Sequence, residues 1–257
     1  QWNPFFPKGA PKIKTTTHLS DNPKKVVYYP ACINQAMGIS KDYDEKVALT
    51  TKVKQLLNKA GFEIIYPDNM PNLCCGMAYS SKGFKELGKN KSDELEAALL
   101  KASEHGKYPI LCDMSPCLFT MKENMGNSLK LYEPIEFVLE FLVPHLTFNP
   151  INETVSVFAV CSAKKMGLED KMVKLAEMCA QKVVKPDTNC CGFAGDRGFS
   201  HPELNSHGLR NLKSQTPAEA THGYSTSRTC EIGLTKHSGI SYKSILYLVD
   251  KATVAKV

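Results

Sequence analysis

The sequence predicts an α/β fold made of two pseudo-symmetric Rossmann-like lobes on parallel sheets, each lobe carrying one Cys-Cys-Gly motif. Three observations predict it. Apolar, β-rich runs alternate with segments of helical period, the pattern of parallel sheets covered by helices. The alternation restarts in the second half of the chain. The same words also recur: "YYPACINQAMG", "LCCGMAYSSKGF" and "LCDMSPC" are answered by "VFAVCSAKKMG", "NCCGFAGDRGF" and "STSRTC". An internal duplication explains all three.

The elements follow in order. Residues 1–24, rich in Pro, Lys and Thr, read as an irregular arm, and the chain, opening at Gln1, is expected to belong to a longer polypeptide. "KKVVYYP" is the first strand and ends at Cys32. Residues 43–61 read as a helix, with Val47, Val53, Leu56 and Leu57 on one face and Gly61 as its stop. "FEIIYP" is a strand leading into Cys74-Cys75-Gly76. "SDELEAALLKASEHG" is a helix with Ser92 as its N-cap, closed by Gly106. "YPILCD" and "LKLYEP" are strands, followed by the helix "IEFVLEFLVPHL".

The boundary between lobes is placed in "TFNPINE", giving a first domain over 25–148 and a second over 149–257. There "TVSVFAVC" is a strand, "LEDKMVKLAEMCAQ" a helix and "KVVKPD" a strand entering Cys190-Cys191-Gly192. "HPELNSHGLRNLKS" reads as helical, with Pro202 in its first turn, and "AEATHGYS" as a strand. "SYKSILYLVDKATV" reads as a terminal helix.

Composition narrows the classes. With 42% hydrophobic and 23% charged residues the balance is that of an ordinary globular protein. No apolar run is long enough for a transmembrane helix, and the longest is broken by Glu140 and Pro144. The net charge of +6 rests on lysine, with Arg197, Arg210 and Arg228 the only arginines, so no nucleic-acid partner is expected. The basic surface suits an anionic partner or the acidic face of a membrane. The sequence has no Gly-x-Gly-x-x-Gly turn, no phosphate-binding Gly-rich loop and no ferredoxin-type cysteine run.

The ten cysteines carry the functional signal. In the first half 41 residues separate Cys32 from Cys74-Cys75, and 36 more precede Cys112, with Cys117 shortly after. In the second half 28 residues separate Cys161 from Cys190-Cys191, and 38 more precede Cys230. Ser225 stands where the first copy has Cys112. Thiols delivered by distant strand ends suit iron-sulfur clusters or zinc, both of which favour thiolate. Gly76 and Gly192 let the backbone turn beside the paired thiols and turn N–H groups toward sulfur. The repeated Met37-Gly38 and Met166-Gly167 imply that the loop shape recurs too. A disulfide framework is disfavoured, since a chain of this length needs no staples and adjacent cysteines pair poorly. Cys179 reads as mid-helix packing. A Cys-His nucleophile has no supporting motif, and His201, His207, His222 and His237 read as surface residues.

These residues resemble the cysteine-rich CCG domain pair. It occurs in the B subunit of heterodisulfide reductase, in iron-sulfur subunits of glycolate oxidase and anaerobic glycerol-3-phosphate dehydrogenase, and in lactate-utilisation proteins. The resemblance spans about residues 25 to 250. "LCCGMAYSSKGF", "CDMSPC", "CCGFAGDRGFSHPELN" and "TCEIGL" are most similar to the C-terminal part of bacterial FAD and iron-sulfur D-lactate dehydrogenases. The resemblance implies that Cys32, Cys74, Cys75, Cys112 and Cys117 match the five-cysteine form that holds a noncubane [4Fe-4S] cluster. Cys161, Cys190, Cys191 and Cys230 would hold a simpler [4Fe-4S] cluster or an incomplete site.

It further implies an electron-transfer module, not itself catalytic. The module would serve a FAD-linked 2-hydroxy-acid oxidoreductase, with FAD and a ferredoxin-like iron-sulfur segment elsewhere in the parent protein or a partner. A quinone or another acceptor would take the electrons, in the cytoplasm or peripherally on the inner face of the bacterial membrane. A thiol or disulfide reductase of the heterodisulfide reductase type and a structural zinc protein are the alternatives.

Overall fold

The computed structural model describes residues 7–15, 21–40 and 43–256. Strands β1 (Lys25–Tyr29), β2 (Glu63–Ile65), β3 (Ile110–Cys112) and β4 (Leu131–Tyr132) form a parallel sheet in the order β2-β1-β3-β4. The short β5 (Leu146–Phe148) leads out of this lobe. Strands β6 (Ile151–Val157), β7 (Ala180–Val184), β8 (Ala220–Ser225) and β9 (Ser241–Ser244) form a second parallel sheet, in the order β7-β6-β8-β9. Relative to chain order the two sheets have one topology, so the duplicated words reflect duplicated folds. Both sheets are covered by helices, which is why β1 and the end of β6 are buried apolar runs without alternation.

The lobes share a core. One hydrophobic cluster runs from Val26, Leu56 and Phe137 of the first lobe to Val157, Tyr242 and Leu248 of the second. The terminal helix Ile245–Lys251 lies against helix Leu49–Lys59, where Lys52 and Lys59 reach Asp250 at 2.9 and 2.6 Å. Strand β10 (Thr253–Ala255) then pairs antiparallel with β5.

A buried polar hub also ties the lobes. Arg228, second-lobe and about 5% exposed, meets Glu231 at 3.2 Å, donates to the Gly38 carbonyl and lies over the Tyr43 ring. Its backbone N–H donates to the Met114 thioether at 3.5 Å. Beside it, Ser115 N–H donates to the Thr226 carbonyl at 3.1 Å. The Ser115 hydroxyl lies 2.6 Å from both the Thr226 hydroxyl and the fully buried Glu133 carboxylate.

Several elements depart from expectation. The first-lobe long helix runs Lys85–Ala102, so Ser92 is not its N-cap but a buried mid-helix residue whose hydroxyl has no partner. The helix expected over 43–61 starts only at Leu49. Helix "IEFVLEFLVPHL" is α-helical only over Pro134–Phe137, widens to a π turn, then tightens before Leu146. "HPELNSHGLRNLKS" splits into Pro202–Gly208 and Leu212–Gln215. "SYKS" is strand β9, not helix, because a parallel edge is open beside β8. Helix Arg228–Ser238 was not anticipated.

Cys179 is buried, as expected, but follows the helix that ends at Glu177. Burial alone lifts its pKa to about 12. The repeated Met-Gly does not mark one loop shape. Gly167 has φ +70° in open space, whereas Gly38 packs against the carbonyls of Lys8 and Gly9. Residues 1–6 and 16–20 of the expected arm lie outside the described residues; at its described part Gly9 bridges to Met37.

Two outcomes follow. Arg228→Ala leaves Glu231 buried and uncompensated, so it is expected to cost about 3–5 kcal/mol in urea unfolding. Adding Glu231→Gln should recover part of that loss, and a cost below about 1 kcal/mol would contradict the hub. The Glu133 carboxyl is raised to about 7 by burial, against hydrogen bonds from Ser115 and the Ile135 N–H, with the Glu136 charge adding to the rise. Because the folded state holds this proton more tightly, stability should fall as pH rises from about 4.5 to 7 and level off above. Glu133→Gln should flatten that slope by up to about 1.4 kcal/mol per pH unit, read as unfolding midpoints across the range.

Candidate functional site

Each lobe delivers its thiols from the carboxyl ends of its parallel strands. Cys32 and Cys161 open the short helices after β1 and β6. Cys117 and Cys230 sit third in helices Ser115–Asn124 and Arg228–Ser238, after β3 and β8. First helical turns present N–H groups without intrahelical partners, donors available to a sulfur ligand. The paired cysteines follow β2 and β7 on tight loops.

Those loops explain their glycines. Gly76 (φ +84°) and Gly192 (φ +67°) are left-handed, and a Cβ on either would overlap a helix carbonyl, that of Gly88 or Leu204. Gly88 and Leu204 lie at the same distance along each repeat, so both motifs rest on the backbone of the helix that follows. Gly88 is itself constrained, since its Cβ would strike the Ser80 hydroxyl and crowd the Gly76 carbonyl. That requirement places a glycine inside a helix despite its poor helix propensity. The turn aims N–H groups at sulfur: Gly76 donates to Cys74 Sγ at 3.4 Å and Gly192 to Cys190 Sγ at 3.3 Å. In the second lobe the Phe193 N–H reaches Cys191 Sγ at 3.5 Å, and Asn205 Nδ2 braces the Cys191 carbonyl at 2.5 Å.

The thiols of each lobe form a matched chain. Cys32 and Cys75 both donate to Cys74, and Cys75 also contacts Cys117. Cys161 and Cys191 both donate to Cys190, and Cys191 Sγ lies 3.0 Å from Cys230 Sγ. The electrostatics repeat as well. The Cys74 thiol is held far below its ordinary range by the Cys32 hydrogen bond, then by Cys75, the Gly76 N–H and Lys91. Cys190 is lowered in the same way by Cys161, Cys191, the Gly192 N–H and Lys164. The donors move up: Cys32 and Cys161 through the proton each gives its neighbour and then burial, Cys75 and Cys191 through two such contacts and burial.

Both chains open on one cleft of about 490 Å³ between the lobes. Eight of the nine cysteines singled out in the sequence line it: Cys32, Cys74, Cys75, Cys117, Cys161, Cys190, Cys191 and Cys230. Cys112 does not. It is fully buried at the end of β3, its Sγ turned to the Met114 carbonyl at 3.8 Å, and burial raises its pKa. Ser225 is its structural counterpart, ending β8 with its hydroxyl on the Phe158 carbonyl at 3.0 Å. The positions that face the cleft beside Cys117 and Cys230 are Met114 and Ser227. Sequence reading missed both, because strand pairing, not cysteine spacing, decides which residue of the turn looks inward.

The rest of the wall is largely apolar, with Ile33, Met37, Met77, Phe119, Val160 and Phe199. Lys82 of the first motif loop meets Asp196 of the second at 2.6 Å, and Arg197 donates to the Ser81 carbonyl at 3.0 Å. Both contacts join the two motif loops. Among the described residues no three Cys, His, Asp or Glu side chains converge on a point that would hold a single ion. The thiols of each set instead lie in a hydrogen-bonded row along the wall of the cleft. Their all-sulfur chemistry, the N–H donors and the room between them fit iron-sulfur clusters.

The cysteine-rich CCG domain model matches residues 26–122 and again 155–235, more than half of the chain. This protein belongs to the CCG cysteine-rich domain family. Its two CCG repeats are the two lobes described above. No curated protein matches the chain. Among solved structures, a Picrophilus torridus aspartate racemase aligns with a TM-score of 0.41 at 10% identity, over 91% of this chain and 96% of that one.

The glycine contacts give a graded outcome. Gly167→Ala meets open space at positive φ and is expected to cost about 1 kcal/mol. Gly76→Ala adds a backbone overlap and should cost about 3 kcal/mol and reduce iron loading of the first lobe. Equal costs for the two, measured by denaturant unfolding, would remove the close-approach argument.

Proposed function

We propose that the protein is the iron-sulfur electron-transfer module of a FAD-linked 2-hydroxy-acid dehydrogenase of the D-lactate type, with the flavin site in another part of the parent protein or in a partner. The single observation that supports it best is the pair of equivalent four-thiol sets opening on one cleft. In this reading Cys32, Cys74, Cys75 and Cys117 hold one cluster, and Cys161, Cys190, Cys191 and Cys230 hold the other. Cys112, outside the cleft, is left out of the ligand set, so both sites take four thiolates. When bound, the clusters would accept and release single electrons.

The chain's own residues do the remainder. The Gly76 and Gly192 N–H groups and the nearby Lys91 and Lys164 offset thiolate charge. Ile33, Met77, Phe119 and Phe199 line the space between the thiol sets with apolar surface. The first-turn cysteines are fixed by helices that continue from the sheet ends, so the spacing between the two sites is set by the shared core. The acceptor in this proposal is a quinone or a redox protein, met peripherally at the membrane's anionic face; no described helix is long and apolar enough to cross a membrane.

A second reading has one observation in its favour. A cleft flanked by two thiol sets would admit a small disulfide, as a disulfide reductase of the heterodisulfide reductase type requires.

The test is to isolate the native assembly without oxygen and add D-lactate while following visible absorption and electron paramagnetic resonance. Reduction of the clusters by D-lactate or another 2-hydroxy acid is expected. Clusters reduced only by a thiol donor, and not by any 2-hydroxy acid, would favour the disulfide reading and overturn the first. Cys112→Ser should retain the wild-type iron content, whereas Cys117→Ser should lose about half of it. Equal losses would return Cys112 to the ligand set.

A further inference from the structure

The two thiol sets match in sulfur but not in what surrounds them. After the first cysteine of each lobe stands Ile33 in one and Ser162 in the other, both lining the cleft. The Ser162 side chain is about nine-tenths buried, and its hydroxyl has no hydrogen-bond partner. An unpartnered buried hydroxyl costs roughly 1–3 kcal/mol, so it calls for an acceptor that the protein itself does not provide. Cluster and thiolate sulfur beside Cys161 is such an acceptor. The second asymmetric pair is Met114 and Ser227, again apolar in the first lobe and hydroxyl-bearing in the second. The N–H two residues after each pair is common to both lobes, Met77 toward Cys75 and Phe193 toward Cys191, so the asymmetry rests on the hydroxyls. The second set is also wetter: Cys161 and Cys190 are both exposed and Cys230 is half-buried, whereas in the first lobe only Cys32 is exposed and Cys117 is buried.

Hydrogen bonds to sulfur and exposure to water both stabilise the more negative, reduced state of a cluster. All these differences push in one direction. We propose that the second-lobe site is the higher-potential of the two, with Ser162 as a tuning hydroxyl. An electron passed within the cleft then leaves the first site oxidised by one electron and the second reduced by one. The first lobe is the entry side and the second lobe the exit side toward the acceptor. This inference rests on the iron-sulfur reading of the site.

The experiment is a potentiometric titration, followed by visible absorption and electron paramagnetic resonance, of the full chain reconstituted anaerobically with iron and sulfide. Two reduction steps are expected in the wild type. Removing the second site with Cys190→Ser and Cys191→Ser should leave only the lower step. Ser162→Ile, which installs the first-lobe residue, should shift the higher step to lower potential and leave the other in place. Ser162→Ala, which deletes only the hydroxyl, should do the same and guards against misfolding of the bulkier variant. A Ser162 effect on the lower step, no effect of either variant, or a single unresolved step would overturn the proposal. Wild-type protein that retains no iron and sulfide would instead sink the iron-sulfur reading itself, which makes the two failures distinguishable.

Discussion

The cleft depends on two backbone contacts: Gly76 against the Gly88 carbonyl and Gly192 against the Leu204 carbonyl. Only a residue without a Cβ can sit so close to a helix backbone while holding a positive φ. That approach turns two consecutive side chains toward the same space and points the next N–H groups back at their sulfurs. Without it, adjacent cysteines on an extended segment would alternate to opposite faces. The motif is therefore a packing device as much as a ligand set.

The parallel sheets do the rest. Equivalent strands deliver equivalent first-turn cysteines, and the fused core fixes one lobe against the other. The Arg228 hub lies beside this machinery, linking the Gly38 loop, Met114 and the Arg228–Ser238 helix that carries Cys230. A buried ion pair contributes little net stability over a hydrophobic isostere, but it penalises any other arrangement of the groups it joins. Here the paired Arg228 reaches the Gly38 carbonyl, the Tyr43 ring and Met114 of the first lobe, which favours one relative placement of the two thiol sets.

Much of this was legible in the sequence. The β1, β2, β3, β6 and β7 runs, the repeated topology and the eight cleft cysteines followed from apolar runs, glycine stops and recurring words. What escaped depended on tertiary context. Ser92 has the local signature of a cap, but the helix already begins at Lys85 and packs Gly88 against Gly76 before Ser92 is reached. "SYKS" takes strand geometry from its neighbour β8. Cys112 looked like a ligand by type and spacing, yet as the last residue of β3 it points into the core, while Met114 faces the cleft. Residues two apart share a face only while the strand continues; β3 ends at Cys112, so Met114 is free of that rule and cysteine counting does not see it. Ser162 and Ser227 drew no notice because hydroxyls carry no signature until a buried, unpartnered one is seen beside sulfur.

The central claim is that both thiol sets hold iron-sulfur clusters. Elemental analysis for iron and zinc, with acid-labile sulfide, on protein purified without oxygen tests it most directly. The account predicts about eight irons and about eight sulfides per chain, about four of each at either site, with little zinc. One or two zincs without sulfide would contradict it and make the cleft a structural metal centre.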